Sequence, residues 1–330
     1  MLNGLSRKTF SFKTFNKFLY LTVGIACIIY ASSLIAGQDD YLDITRNYIS
    51  ENLLLIIFAV CLYLSSHGLR VMRLALLSPN PNLKIAVLFK EQYKANGVNL
   101  LIPFKLGEAY RLIYFKDFFG SYANSFAVLI CERLLDLIVI FLILVVTIYF
   151  SDLNISTIQN IFQISILLLF IALIIFYALV ELLQVISKIL FLREASTRNV
   201  NIIEKLSYIE RAIKRVKFIF KEKVLACIFI TFAIWMLEIM VFFMFYDYLN
   251  QRLDIMILLS IAVSFSALLP NGPLGYGGLQ IAFYYVGVAF EIERLIDLSF
   301  TYGVCIFGSG LLFAGILFLF DFFYLKKDRF

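Results

Sequence analysis

The chain has 330 residues, of which 62% are hydrophobic and 16% charged, with a mean hydropathy of +0.90 and a formal net charge of +6. Soluble domains run at about 45–50% apolar and about 25% charged residues. The composition therefore excludes a secreted disulfide scaffold, a disordered tail and an ordinary cytosolic enzyme, and it specifies an all-α polytopic integral membrane protein.

A helix needs about 20 apolar residues to cross the hydrocarbon core. Runs near 18–36, 51–69, 121–150, 161–190, 223–247 and 298–325 meet this, which predicts about six full spans in one integral membrane domain covering 1–330. Arg7, Lys8, Lys13 and Lys17 precede the first run. No convincing small-residue cleavage site follows it, so it reads as an uncleaved span rather than a signal peptide. Two further apolar regions, 85–118 and 255–290, are broken by Pro, Gly and polar residues.

Lys and Arg are concentrated in the N-terminal tail, in 70–118, in 188–223 and at the C-terminus. The opposite loops carry Arg46, Arg252 and Arg294, one each. That asymmetry predicts a multi-pass protein of the inner, cytoplasmic membrane with both termini in the cytoplasm. The basic residues lie between apolar runs, so juxtamembrane anchoring accounts for the net charge and nucleic acid is not an expected partner.

Each broken region begins and ends on one side of the membrane, so each predicts a re-entrant hairpin of two half-helices, although a pair of tilted short spans satisfies the same parity. Irregular backbone at membrane depth is tolerated only where protein or water covers it, so the hairpins predict an internal cavity. Two spans, a hairpin and one span make up 18–150, and the same order recurs in 161–325. This layout predicts an inverted repeat, a common transporter plan. Between the halves, 193–223 is a basic connector with apolar residues at helical spacing, and it reads as a cytoplasmic amphipathic helix lying on anionic lipid. The five cysteines fall inside apolar runs without a CxxC pair, and the single His67 leaves no ordinary zinc site, so no metal or cofactor is predicted.

Three constellations break the apolar pattern. In the first, Pro103 and Gly107 interrupt the helix beside Lys105, Glu108 and Arg111. Glu108 and Arg111 are three apart, so they share a helical face and can pair. Two cations against one carboxylate leave a positive spot suited to a phosphate head group. In the second, Glu132, Arg133 and Asp136 sit inside the run 121–150. Each ionised group in hydrocarbon costs about 2.5–3.5 kcal/mol, so the three must be paired and face a polar interior. In the third, four glycines and two prolines lie between Pro270 and Gly278. They cannot continue a helix, and free amides at the start of the next half-helix attract anions. Glu238 lies mid-span beside Trp235 as a protonatable or paired acid. Arg70 and Arg73 lie at the end of the second span, where anchoring is the default role.

These constellations, in this order, resemble the transmembrane, flippase-like domain of lysylphosphatidylglycerol synthases and their stand-alone membrane relatives. The family pattern P-x-[RK]-x-G-E-x-x-R reads here as Pro103, Lys105, Gly107, Glu108 and Arg111, and E-R-x-x-D as Glu132, Arg133 and Asp136. Pro273, Gly275 and Gly277 match a P-G-G-x-G-x-x-E stretch, with Leu274 and Gln280 where the family usually has Gly and Glu. Arg70 and Arg73 match an R-x-x-R. Bifunctional members carry a soluble aminoacyltransferase domain after this one. The chain ends six residues after Tyr324, so the resemblance implies a translocating module rather than a synthase.

The expected function is translocation of an anionic lipid or lipid-linked sugar. Lys105, Glu108, Arg111, Glu132, Arg133, Asp136, Pro273, Gly275, Gly277 and Gln280 are the expected substrate-binding residues. Arg70, Arg73 and Glu238 are accessory. Anionic or polyprenyl-phosphate-linked lipids are the expected partners, with a lipid-biosynthetic enzyme as a further candidate. Two alternatives stand beside this reading. One is a membrane-embedded transferase acting on a polyprenyl phosphate or glycolipid, with Glu108 or Asp136 as base. The other is a non-catalytic scaffold for an envelope-lipid pathway.

Overall fold

The computed structural model describes residues 39–80, 82–102, 106–150, 155–192, 197–249, 251–266, 273–292 and 295–327. The expected span 18–36 and the residues Pro103 to Lys105 lie outside them. Among the described residues the secondary structure is helical, with no strand.

The helices follow the punctuation of the sequence. α1 (Asp39–Leu77) stops just before Pro79. α2 (Ile85–Leu101) stops before Pro103, and α3 (Leu106–Phe119) ends at Gly120, whose φ of +82° favours a residue without a Cβ. α4 (Tyr122–Phe150) begins with an N-cap: the Ser121 hydroxyl accepts the Asn124 amide at 3.1 Å. α5 spans Ile155–Leu192, and α6 runs unbroken from Thr197 to Val241 into a 3₁₀ turn. α7 (Leu253–Ser266) and α8 (Gly278–Ala289) flank the Gly/Pro stretch. α9 (Leu295–Tyr302), a π turn over Gly303–Phe307 and α10 (Gly308–Lys327) form one continuous rod.

Asp43–Leu77, Asn199–Phe245 and Leu295–Phe323 are each long and apolar enough to cross a membrane. With α4 and α5 at 29 and 38 residues, the protein is a multi-pass helical membrane protein. Both broken regions form pairs of short helices packed on each other, α2 with α3 and α7 with α8. Gly107 permits the first pairing. A Cβ there would lie 2.4 Å from both the Ala95 carbonyl oxygen and Asn99 Oδ1.

Buried apolar side chains form two main clusters. One takes Tyr63 of α1, Val139 of α4 and Ile239 of α6 together with α7, α8 and α9. The other takes Leu74 and Leu77 of α1, Phe115 of α3, Leu135 of α4 and Val216 of α6. Each of α1, α4 and α6 passes from one cluster into the other.

The described part of the connector 193–223 is the first half of α6. Ile213 and Val216 are buried, with Leu206 and Ile209 packed beside them and Leu183 of α5 in the same cluster.

A buried arginine–carboxylate network as the candidate functional site

Where α1, α4 and α6 pass between the two clusters, the apolar pattern fails and charge takes over. Arg73 is central and 0% exposed. One of its terminal nitrogens donates to Asp136 Oδ1 at 2.6 Å and to Thr231 Oγ1 at 2.9 Å. The other donates to Glu132 Oε1 at 2.8 Å and to Asp136 Oδ2 at 3.3 Å. Glu132 and Asp136 are four residues apart on α4, so helical geometry alone presents both carboxylates to one guanidinium.

The network extends from this core in two directions. Arg111 of α3 donates to the second oxygen of Glu132 and lies 3.2 Å from Glu108 Oε2. Arg133 also donates to Glu108 and comes within 3.5 Å of Asp136. On the other side Arg70 lies 3.9 Å from Asp136 and donates to Glu238 at 3.2 Å, and the Ser66 hydroxyl reaches the same oxygen at 2.6 Å. Among the described residues four guanidinium groups thus face four carboxylates. An unpaired charge at this depth would cost several kcal/mol, so pairing is a condition for burying any of them.

Exposure is uneven across the network. The Glu132 side chain is 1% exposed, whereas Glu108 is 30% and Arg133 46%. The sealed core is therefore Arg73 with Glu132 and Asp136, and the open edge is Glu108 with Arg133. Among the described residues donor capacity remains inside: Nε of Arg70, Arg73 and Arg111 has no acceptor, and neither ring nitrogen of buried His67 has a partner.

The first two expected constellations meet here, with Arg70, Arg73 and Glu238 joining them. Arg73 differs from its expected anchoring role, because its helix carries on past it to Leu77 within the protein interior. Lys105 lies outside the described residues. Thr231 and Ser66 join the network without a sequence signal, since each sits in an ordinary apolar helix stretch.

A second buried ion cluster was not anticipated. Lys94 of α2, 0% exposed, pairs with Glu91 at 2.9 Å and with Asp321 of α10, and Lys90 also reaches Asp321. Tyr110 of α3 donates to Glu91 at 2.6 Å. Asp321 inside the last apolar run was the available signal for this cluster.

The third constellation forms a separate corner. Leu274 packs with Leu100 of α2 and Leu311 of α10, so the break before α8 abuts the C-terminal end of α2. Among the described residues no hydrogen bond joins Gly275, Gly277 or Gln280 to the network. Gln280 Oε1 instead accepts the Gly277 amide at 2.6 Å and so caps α8. A carboxamide serves that role as a carboxylate would, which gives Gln280 a structural use.

Leu274 stands at φ +54°, a left-handed conformation costly for a non-glycine residue. Relief of that strain by Leu274→Gly is worth about 1–3 kcal/mol. Losing a buried leucine side chain costs about 2–5 kcal/mol, and Leu274 is only 4% exposed. Burial outweighs strain, so Leu274→Gly is expected to lower the thermal midpoint of the detergent-solubilised protein rather than raise it.

No curated protein and no solved structure matches the chain. A family model does: the lysylphosphatidylglycerol synthase TM region, over residues 21–308. That range takes in both broken helix pairs, the whole arginine–carboxylate network and the Gly/Pro corner. Over most of its length, therefore, the chain belongs to the family of lysylphosphatidylglycerol synthase transmembrane regions.

Proposed function

We propose that the protein moves an anionic lipid or a lipid-linked sugar between membrane leaflets, with the head group held at the open edge of the network. The observation that carries this reading is the uneven sealing of the charges. Glu108 is shared by Arg111 and Arg133 at an accessible edge, while Arg73 stays locked behind it. A phosphate entering at that edge replaces Glu108 as the partner of Arg111 and Arg133, through charge-assisted forked hydrogen bonds. The Arg73 core need not break. In the empty state Glu108 keeps both cations neutralised.

The short helices support a path. α2, α3, α7 and α8 have 17, 14, 14 and 12 residues. At 1.5 Å per residue they measure about 18–25 Å, against a hydrocarbon core of about 30 Å. Each pair is read as a re-entrant hairpin, and the two halves as an inverted repeat whose rocking exposes the site alternately. Amides at the 273–277 break would offer a second anion contact. The positive-inside asymmetry of Lys and Arg supports an inner-membrane protein with both termini in the cytoplasm. The transferase alternative needs a carboxylate free to act as base, whereas Glu108 and Asp136 each accept guanidinium bonds on both oxygens.

The test is leaflet exchange of fluorescent phosphatidylglycerol, and of a fluorescent polyprenyl-phosphate sugar, in proteoliposomes. Arg133→Ala and Arg111→Ala are each expected to slow exchange of the transported lipid by about tenfold or more, the loss of one charged hydrogen-bond partner. Folded variants that exchange both lipids at the wild-type rate would remove the charge assignment.

A further inference from the structure

Away from the network, the loop after α1, the α3–α4 corner and the first half of α6 enclose an open pocket of about 630 Å³. The geometry points to this pocket as a binding site for a phosphate-bearing anion, distinct from the proposed head-group site and independent of the translocation reading.

Arg211 and Arg215 line it, four residues apart on one face of α6. Arg215 donates to the Pro79 carbonyl at 3.0 Å, and Arg211 Nε to the Ser207 carbonyl at 3.3 Å. These bonds hold each guanidinium in place and use one donor of each. Among the described residues the remaining donors have no protein acceptor. Lys214, between them in sequence, is neutralised by Glu210 at 2.7 Å. Among the described residues lining the pocket none is a carboxylate.

The opposite wall is the start of α4. Gly120 and Asn124 line the pocket, so the N-terminal amides of a 29-residue helix adjoin it. Those amides lack intrahelical partners, and Ser121 satisfies the one at Asn124. A Cβ at Gly120 would meet nothing within 4 Å, so the backbone there is open to an approaching ligand. The frame is rigid: Asn80 holds the Phe118 carbonyl at 2.8 Å and Asn124 holds that of Phe119 at 2.7 Å. Two guanidinium forks facing a helix N-terminus across a cavity of this volume suit a tetrahedral phosphate more than a planar carboxylate or a halide. Tyr208 adds a half-exposed aromatic wall for whatever the phosphate carries.

Two sources can supply that phosphate, a phospholipid head group or a soluble phosphate ester. The full-length protein in neutral detergent would be titrated with dioctanoyl phosphatidylglycerol, with glycerol 3-phosphate and with dioctanoylglycerol, and affinity read by calorimetry. The phosphate-bearing probe is expected to bind, and Arg211→Ala/Arg215→Ala to weaken it by about tenfold or more. The network site is unchanged in that double variant, so the difference between its titration and that of the wild type reads this pocket alone. Binding of the lipid alone identifies a lipid source, and equal binding of both phosphate probes identifies a soluble one. If the double variant does not fold, Arg211→Glu, a change at an exposed side chain, must abolish the same binding. Equal affinity of wild type and pocket variant for both phosphate probes, or equal binding of dioctanoylglycerol, overturns the proposal.

Discussion

Arg73→Ala is expected to be the most damaging single substitution in the network, costing about 3–5 kcal/mol of stability. Among the described residues Arg73 is the cation that bridges Glu132 and Asp136, both of which are almost fully buried. Without it Glu132 keeps Arg111, and Asp136 keeps only the longer contacts to Arg133 and Arg70. Arg133→Ala is the internal control. That side chain is 46% exposed, and surface pairs contribute only about 0–1 kcal/mol. Thermal and denaturant unfolding in detergent should rank Arg73→Ala far below Arg133→Ala. Adding Asp136→Asn to an Arg73→Met chain should recover part of the loss, because three guanidinium groups then face three carboxylates and Glu132 keeps its Arg111 partner. Equal midpoints for the two single variants would mean that water reaches the core and that the Arg73 lock is not what holds these helices.

Lys94→Met is expected to have the next largest effect on stability, about 2–4 kcal/mol, through the same physics at a different seam. Lys94 is fully buried, and its ammonium joins Glu91 on its own helix to Asp321 on α10. The helices approach closely beside it. A Cβ on Gly97 would lie 2.2 Å from that of Ala314, so there is no room for either helix to shift and admit water. The Lys94 ammonium also lies 5.3 Å from the Phe318 ring, a contact the methionine would partly keep through its sulfur. Lys90 still reaches Asp321 in the variant, so Glu91 is the group most exposed to the loss. Lys94→Met with Glu91→Gln should therefore be more stable than Lys94→Met alone, as read from unfolding midpoints. The reverse order would show that the cluster is solvated.

The helical elements were largely legible in the sequence because their causes are local. Pro103, Gly120 and the Gly/Pro stretch stop helices wherever they stand, and long apolar runs need no partner to declare themselves. The pairs within one helix were legible for the same reason: Glu108 with Arg111, and Arg133 with Asp136, follow from spacing alone. The fate of the basic residues was not. Arg73 and Lys94 fall among residues whose count sets orientation, and a long basic side chain near a helix end has two outcomes of similar local energy. It can extend to the interface or turn inward to a carboxylate. Only the presence of Glu132 and Asp136 across a neighbouring helix selects the second for Arg73.

The amino-acid sequence by itself determined the solvent of this protein, its all-helical class, the positions of its breaks and the family to which its ordered motifs point. Hydropathy and helix stops act over one or two turns, so they are written in contiguous residues. Only the tertiary structure decided which charges meet. Arg73 and Glu132 are 59 positions apart and Arg70 and Glu238 are 168 apart, and nothing in the local chain ties them together. Burial in a low-dielectric interior makes those distant pairings obligatory. It sorts a sealed Arg73 core from an open Glu108–Arg133 edge.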